Sequence, residues 1–217
     1  MHSNRRVTTY AALWIVGLTI GWFEASVVVY LRQILYPQGF DFPLVAMPLR
    51  LLGVEVAREA CSLVLLAGVA WLAGSRLVER LGAFLLLFGL WDLTYYVVLK
   101  LVLDWPAALG TWDILFLIPV PWAGPVWAPG LIAAEFVAAG SYLVWTGDRA
   151  RAYRPADVII LAASAATIVG TFLAEWRAVA EQRVPQHFPA WLFWTGVVIG
   201  TAWLVRAERR AALPSPR

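Results

Sequence analysis

Charge is scarce in this 217-residue chain: 14% of its residues are Asp, Glu, Lys or Arg, while 61% are hydrophobic. Soluble domains carry about 25% charged and about 45–50% apolar residues. Both departures, with a mean hydropathy of +0.72, say that water is not the solvent of this chain. Disorder, a nucleic-acid module and a secreted disulfide scaffold are excluded at this step. Cysteine is nearly absent. Cys61 stands alone, so no intrachain disulfide forms. The only histidines are His2 and His187, and the only methionines Met1 and Met47. That scarcity argues against a bis-histidine haem, a His-rich zinc site and a thioether copper site. Any metal held by this chain alone would be bound mainly by oxygen, and the residues specify no cofactor. The formal net charge of +3 does not point to nucleic acid, because the cations sit between apolar spans and not in one patch.

Long apolar runs are what the chain has in place of charge. A membrane helix needs about 20 such residues. The pattern predicts an all-α, polytopic integral membrane protein: one helical-bundle domain over residues 1–217 with six spans. They cover about 8–31, 54–74, 81–103, 126–146, 156–176 and 189–205. His2–Arg6 is short and basic, but no small-residue cleavage site follows and Glu24 interrupts the apolar run. The first span therefore reads as uncleaved.

The positive-inside rule sets the orientation. With the N-terminus inside, eleven cations face the cytoplasm: Arg5, Arg6, Arg76, Arg80, Arg149, Arg151, Arg154, Arg206, Arg209, Arg210 and Arg217. Six face outward: Arg32, Arg50, Arg58, Lys100, Arg177 and Arg183. The expected location is a bacterial-type inner membrane with both termini cytoplasmic. The bilayer is the expected partner, a lipid or small molecule the candidate ligand, and nucleic acid is not expected. The oligomeric state is left open.

Two outer connections stand apart. Pro37–Arg50 is too short to span and too apolar for an ordinary loop. Trp105–Gly130 carries five prolines and four tryptophans. Its centre, Thr111–Ile118, is expected to form two helical turns that Pro119 stops, in an interfacial or re-entrant segment. Trp105, Trp112, Trp122 and Trp127 suit either a headgroup-level belt or a lid over a polar pocket. Small residues at Gly17, Gly21 and Ala25, at Ala162, Ala166 and Gly170, and at Gly196 and Gly200 are expected to let helices of the chain approach closely.

Acids inside the spans are the main functional signal, because ionisable groups in a bilayer usually face a bundle interior or a water-filled cavity. At 1.5 Å per residue, Glu24 lies about 27 Å above Arg6, Glu59 about 25 Å above Arg76, Asp92 about 18 Å above Arg80 and Glu135 about 21 Å above Arg149. All four fall in the outer half of a core about 30 Å thick. Arg58 adjoins Glu59 and follows Glu55 at helical spacing. Asp92, Tyr96 and Lys100 recur every four residues, and Asp113 lies on the proposed re-entrant turn. The expected site is an outward-facing pocket with Asp92 and Glu135 as floor and Glu24, Arg58, Glu59, Tyr96 and Lys100 as walls. The alternative is that these groups are paired struts fixing helix register. No spacing matches a metal motif. Three functions stay open: binding or transport of a small polar or amphipathic ligand or protons, an enzyme acting on a lipid or isoprenoid at the outer leaflet, and a structural subunit of a larger membrane complex.

Overall fold

The computed structural model describes residues 2–147 and 153–211. Arg149, Arg151 and Arg217 lie outside the described residues. Among the described residues there are seven helices: α1 His2–Leu35, α2 Leu49–Ala73, α3 Leu77–Leu103, α4 Trp127–Thr146, α5 Pro155–Phe172, α6 Trp176–Ala180 and α7 Ala190–Ala211. All but α6 are long and apolar enough to cross a membrane. Their ends differ from the expected spans by a few residues. The largest changes are the earlier start of α1 at His2, the later end of α7 at Ala211 and the start of α2 at Leu49. α5 stops at Phe172, and Trp176 belongs to α6.

α3 is the axis of the bundle. It packs against α1, α2 and α4, while α5 packs against α7. Glycines set the close seams, the tightest between α3 and α4, where a Cβ on Gly89 or Gly140 would meet the Ala133 carbonyl or the Leu86 amide. A Cβ on Gly17 or Gly21 would meet Leu90, or Thr94 and the Trp91 carbonyl, on α3. Gly196 lies as closely on Ile168 of α5. These contacts join helices of one chain by close backbone approach. Ala162, Ala166 and Gly170 do otherwise: all three are exposed, and Gly170 has nothing within 4 Å of its Cβ direction. The stripe on α5 expected to pack points away from α7.

One end of the bundle is rich in arginine. There the α1 start meets the α4 end through Arg6 Nη1 and the Trp145 carbonyl, 2.8 Å. Glu79 accepts from the Ser75 and Arg76 amides at 2.8 and 3.2 Å, holding the first turn of α3. Pro155 opens α5, where its missing N–H costs nothing.

The opposite end corrects the expectation for Trp105–Gly130. Thr111–Ile118 is not helical. Trp112–Phe116 (β1) pairs antiparallel with Trp122–Pro125 (β2), in register Trp112 with Pro125, Asp113 with Gly124 and Ile114 with Ala123, with an irregularity before Phe116. The reason is local. Pro119 disfavours helix at Ile118, and Pro119, Pro121 and Pro125 together leave too short a run for helical hydrogen bonding. The extended backbone needs partners, and the second strand supplies them. So the chain is mostly helical with one two-stranded sheet among its described residues.

This hairpin is tucked among the helices. Phe116 meets Phe88 and Trp91 of α3, with ring centroids 6.3 and 6.0 Å apart. Gly124 lies on Phe172. Beside it, Ala128, Phe172, Phe193 and Val197 form a buried cluster that ties α5 and α7 to α4.

Candidate functional site

The α1–α3 seam brings their acids to a common level. The close approach at Gly17 and Gly21 leaves Glu24, one turn further along α1, within electrostatic reach of Asp92. From α2, Arg58 forms ion pairs with both Glu24 and Glu55. Ser62 Oγ donates to the second oxygen of Glu24 at 3.3 Å. One guanidinium thus serves two carboxylates, as its fork of donors allows.

The hairpin closes this cluster from the other side. The Leu117 amide, at its turn, donates to Glu59 Oε2 at 2.9 Å. Asp113, on β1, is 1% exposed and accepts from Arg32 Nη2 at 3.0 Å. Tyr95 Oη lies 3.5 Å from its other oxygen. Burial raises the Asp113 carboxyl above the ordinary range, and the Arg32 guanidinium opposes that shift. Arg32 itself lies between two aromatic faces, 4.1 Å from the Phe40 centroid and 3.7 Å from that of Trp105.

Asp92 is the exception. It has no hydrogen bond or ion pair among the described residues, and the charges that bear on it, Asp113 and Glu24, are both acids. Counted together, Glu24, Glu55, Glu59, Asp92 and Asp113 face two cations, Arg32 and Arg58. Glu55 and Glu59 are 7% and 6% exposed. With every acid ionised the cluster carries three uncompensated negative charges.

Of the residues singled out by sequence, Glu24, Arg58, Glu59, Asp92, Tyr96 and Asp113 therefore gather around α1, α2, α3 and the hairpin. Lys100 and Glu135 do not. Lys100 is half-exposed and pairs with Asp104 at 2.6 Å while donating to the Pro106 carbonyl at 3.2 Å. That pairing holds the fully exposed Asp104 carboxyl below its usual range. The reason is angular: at 3.6 residues per turn, eight residues rotate Lys100 about 80° from Asp92. Glu135 accepts from Thr201 on α7 at 3.1 Å, in the crevice between α4 and α7. Its height matches that of the other acids, but its direction does not.

Arg32 and Glu55, outside the expected pocket, also belong to the cluster. Tyr95 and Trp105 do too. Tyr95 falls one residue off the Asp92–Tyr96 line, and only the long-range position of Asp113 makes it a partner. Among the described residues no three His, Cys, Asp or Glu side chains converge closely enough to hold a metal ion.

A second polar cluster lies at the arginine-rich end. Asp157, also 1% exposed, accepts from the Arg154 amide at 2.7 Å, from Trp203 Nε1 at 3.0 Å and from Arg210. No protein-family model matches the chain, and no curated protein or solved structure matches it significantly.

Proposed function

We propose that this chain is a polytopic membrane protein that takes up protons, together with a small polar or amphipathic ligand, at the acid cluster beneath the hairpin. The observation that carries the reading is the charge imbalance: five carboxylates against two guanidiniums, with Asp92 unpartnered. A buried carboxylate without a counter-charge costs several kcal/mol. Protonation removes that cost, so protons are the natural occupants of such a cluster.

Orientation follows from the cations. The eleven-to-six bias puts the arginine-rich end in the cytoplasm of a bacterial-type inner membrane and the hairpin on the outer side. In that setting the hairpin is re-entrant. Phe116 meets Phe88, 15 residues before the end of α3 and therefore about 22 Å along its axis. Non-helical backbone at such depth is tolerated only where protein covers it. The β1–β2 pairing and the Glu59 carboxylate meet that condition. The prolines and tryptophans then form a lid over the acids, in place of a headgroup belt.

The test is proton uptake by proteoliposomes that enclose a pH-sensitive dye, driven by an imposed membrane potential. The native protein is expected to acidify the lumen faster than empty vesicles. Asp92→Asn combined with Glu59→Gln is expected to abolish the difference. A native rate equal to that of empty vesicles, or an unchanged rate in the double variant, overturns the proposal.

A further inference from the structure

Beyond the acids, the hairpin end holds a group of buried hydrogen-bond donors that is short of acceptors. Arg32 Nη1 and Trp105 Nε1 each lack a hydrogen-bond partner among the described residues, and the Tyr96 hydroxyl beside them has only the Asp113 carboxylate, which Arg32 and Tyr95 already share. Arg32 is 6% exposed, and Tyr96 and Trp105 are 9%. They are neighbours: the guanidinium lies on the Trp105 ring, and that ring stacks on Tyr96 with centroids 6.4 Å apart. An unmet buried donor costs about 1–3 kcal/mol, so two in one place, beside a third that shares a crowded carboxylate, call for an acceptor.

The wall in front of them is Phe40. One face of its ring covers the Arg32 guanidinium, and the ring also lines a cavity of about 240 Å³. Asp41, Thr111, Trp112, Val184 and Pro185 are among its other walls. Phe40 sits on the irregular segment 36–48, next to Gly39, whose φ of +109° suits glycine. The cavity is smaller than the roughly 300–1,000 Å³ of drug-sized sites. It fits a small molecule or the head of a longer one.

Charge decides the chemical class. Arg32 is already neutralised by Asp113, Asp41 stands at the cavity wall, and Asp92 and Glu24 lie behind. An oxyanion would add a further negative charge beside Asp113 and Asp41. A neutral carbonyl oxygen has two lone pairs, no charge and no donor of its own. We propose that Arg32, Trp105 and Tyr96 form a binding site for an uncharged carbonyl compound, which enters through the cavity as Phe40 moves aside. Trp105 and Phe40 supply apolar faces for the rest of the molecule. This site shares Arg32, Tyr96 and Trp105 with the acid cluster, but its test does not read proton movement.

Binding is measured by fluorine NMR on the purified full chain in detergent with three probes of similar shape. These are para-fluoroacetophenone, a ketone; para-fluorobenzoate, an oxyanion; and para-fluorotoluene, which has no acceptor. The ketone is expected to bind saturably and at least about tenfold more tightly than either of the others. Trp105→Phe and Tyr96→Phe keep a ring and remove one donor, and each is expected to weaken the ketone about three- to tenfold while leaving the toluene unchanged. The carbonyl stretch of the bound ketone is expected to shift to lower frequency, and part of that shift to be lost in each variant. Equal partition of ketone and toluene, tighter benzoate, or ketone binding that both variants retain in full would overturn the proposal.

Discussion

The two ends of the bundle bury their acids on opposite terms. At the arginine-rich end Asp157 meets three donors, from the Arg154 backbone, Trp203 and Arg210. At the hairpin end five carboxylates share two guanidiniums, one hydroxyl from Ser62, the backbone amides of Leu117 and Ile114 and the phenols of Tyr95 and Tyr96. A buried polar group with its donors in place fixes geometry. Asp157 does so for α5 and α7: it holds the first turn of one helix and the last turns of the other. The hairpin-end cluster is under-supplied, and a structural joint has no use for an unpartnered Asp92. Burial alone therefore does not mark function. The ratio of donors to acids separates the two clusters.

The most damaging way to probe this contrast is Arg58→Gln. It leaves Glu24 and Glu55 buried without their shared cation, and breaking a buried pair from one side costs about 3–5 kcal/mol. Thermal unfolding in detergent should show a large fall in midpoint. Adding Glu24→Gln and Glu55→Gln to the same chain should restore most of it, because the stranded charges are then gone. A triple variant as unstable as the single one would mean that Arg58 acts through packing, and the charge argument for this end would fail.

Arg210→Gln makes the matching cut at the other end, with a smaller expected effect. Asp157 keeps the Arg154 amide and the Trp203 indole, so the carboxylate is not stranded. The unfolding midpoint should fall by less than in Arg58→Gln, and the proton uptake of proteoliposomes should be unchanged. A loss as large as that of Arg58→Gln would remove the distinction between the two ends.

The hairpin-end acids of this contrast were legible in the chain itself, the Asp157 cluster was not, and the missing part has one physical origin. Apolar run length gives each helix, and rise per residue gives the height of each acid, so the four helices and the level of their carboxylates follow from counting. Azimuth does not. Glu135 has the right height but turns toward Thr201. Lys100 drifts off the Asp92 line and pairs with Asp104. Gly17 and Gly196 pack inward where Ala162 and Gly170 face out, although all sit in similar small-residue patterns. The hairpin was hidden for a related reason. Its strands are stabilised by each other and by Glu59, 58 residues away, and short-range propensity contains neither partner. Prolines disclosed where the helix ends; they could not disclose what the freed backbone would bond to.

Asp92→Asn has the smallest expected effect on stability and sharpens the comparison most. The side chain keeps its shape and loses its charge. In a structural joint that loss removes a partner and lowers stability, but Asp92 has no partner to lose, and its charged neighbours are acids. Relief of like-charge repulsion and of the cost of burying a carboxylate should leave the unfolding midpoint unchanged or higher. Proton uptake should fall in the same variant. A residue whose neutralisation stabilises the protein while impairing its proposed activity is retained for chemistry and not for architecture. If Asp92→Asn instead lowers the midpoint and spares uptake, Asp92 is a strut after all, and the excess of acid at the hairpin end loses its meaning.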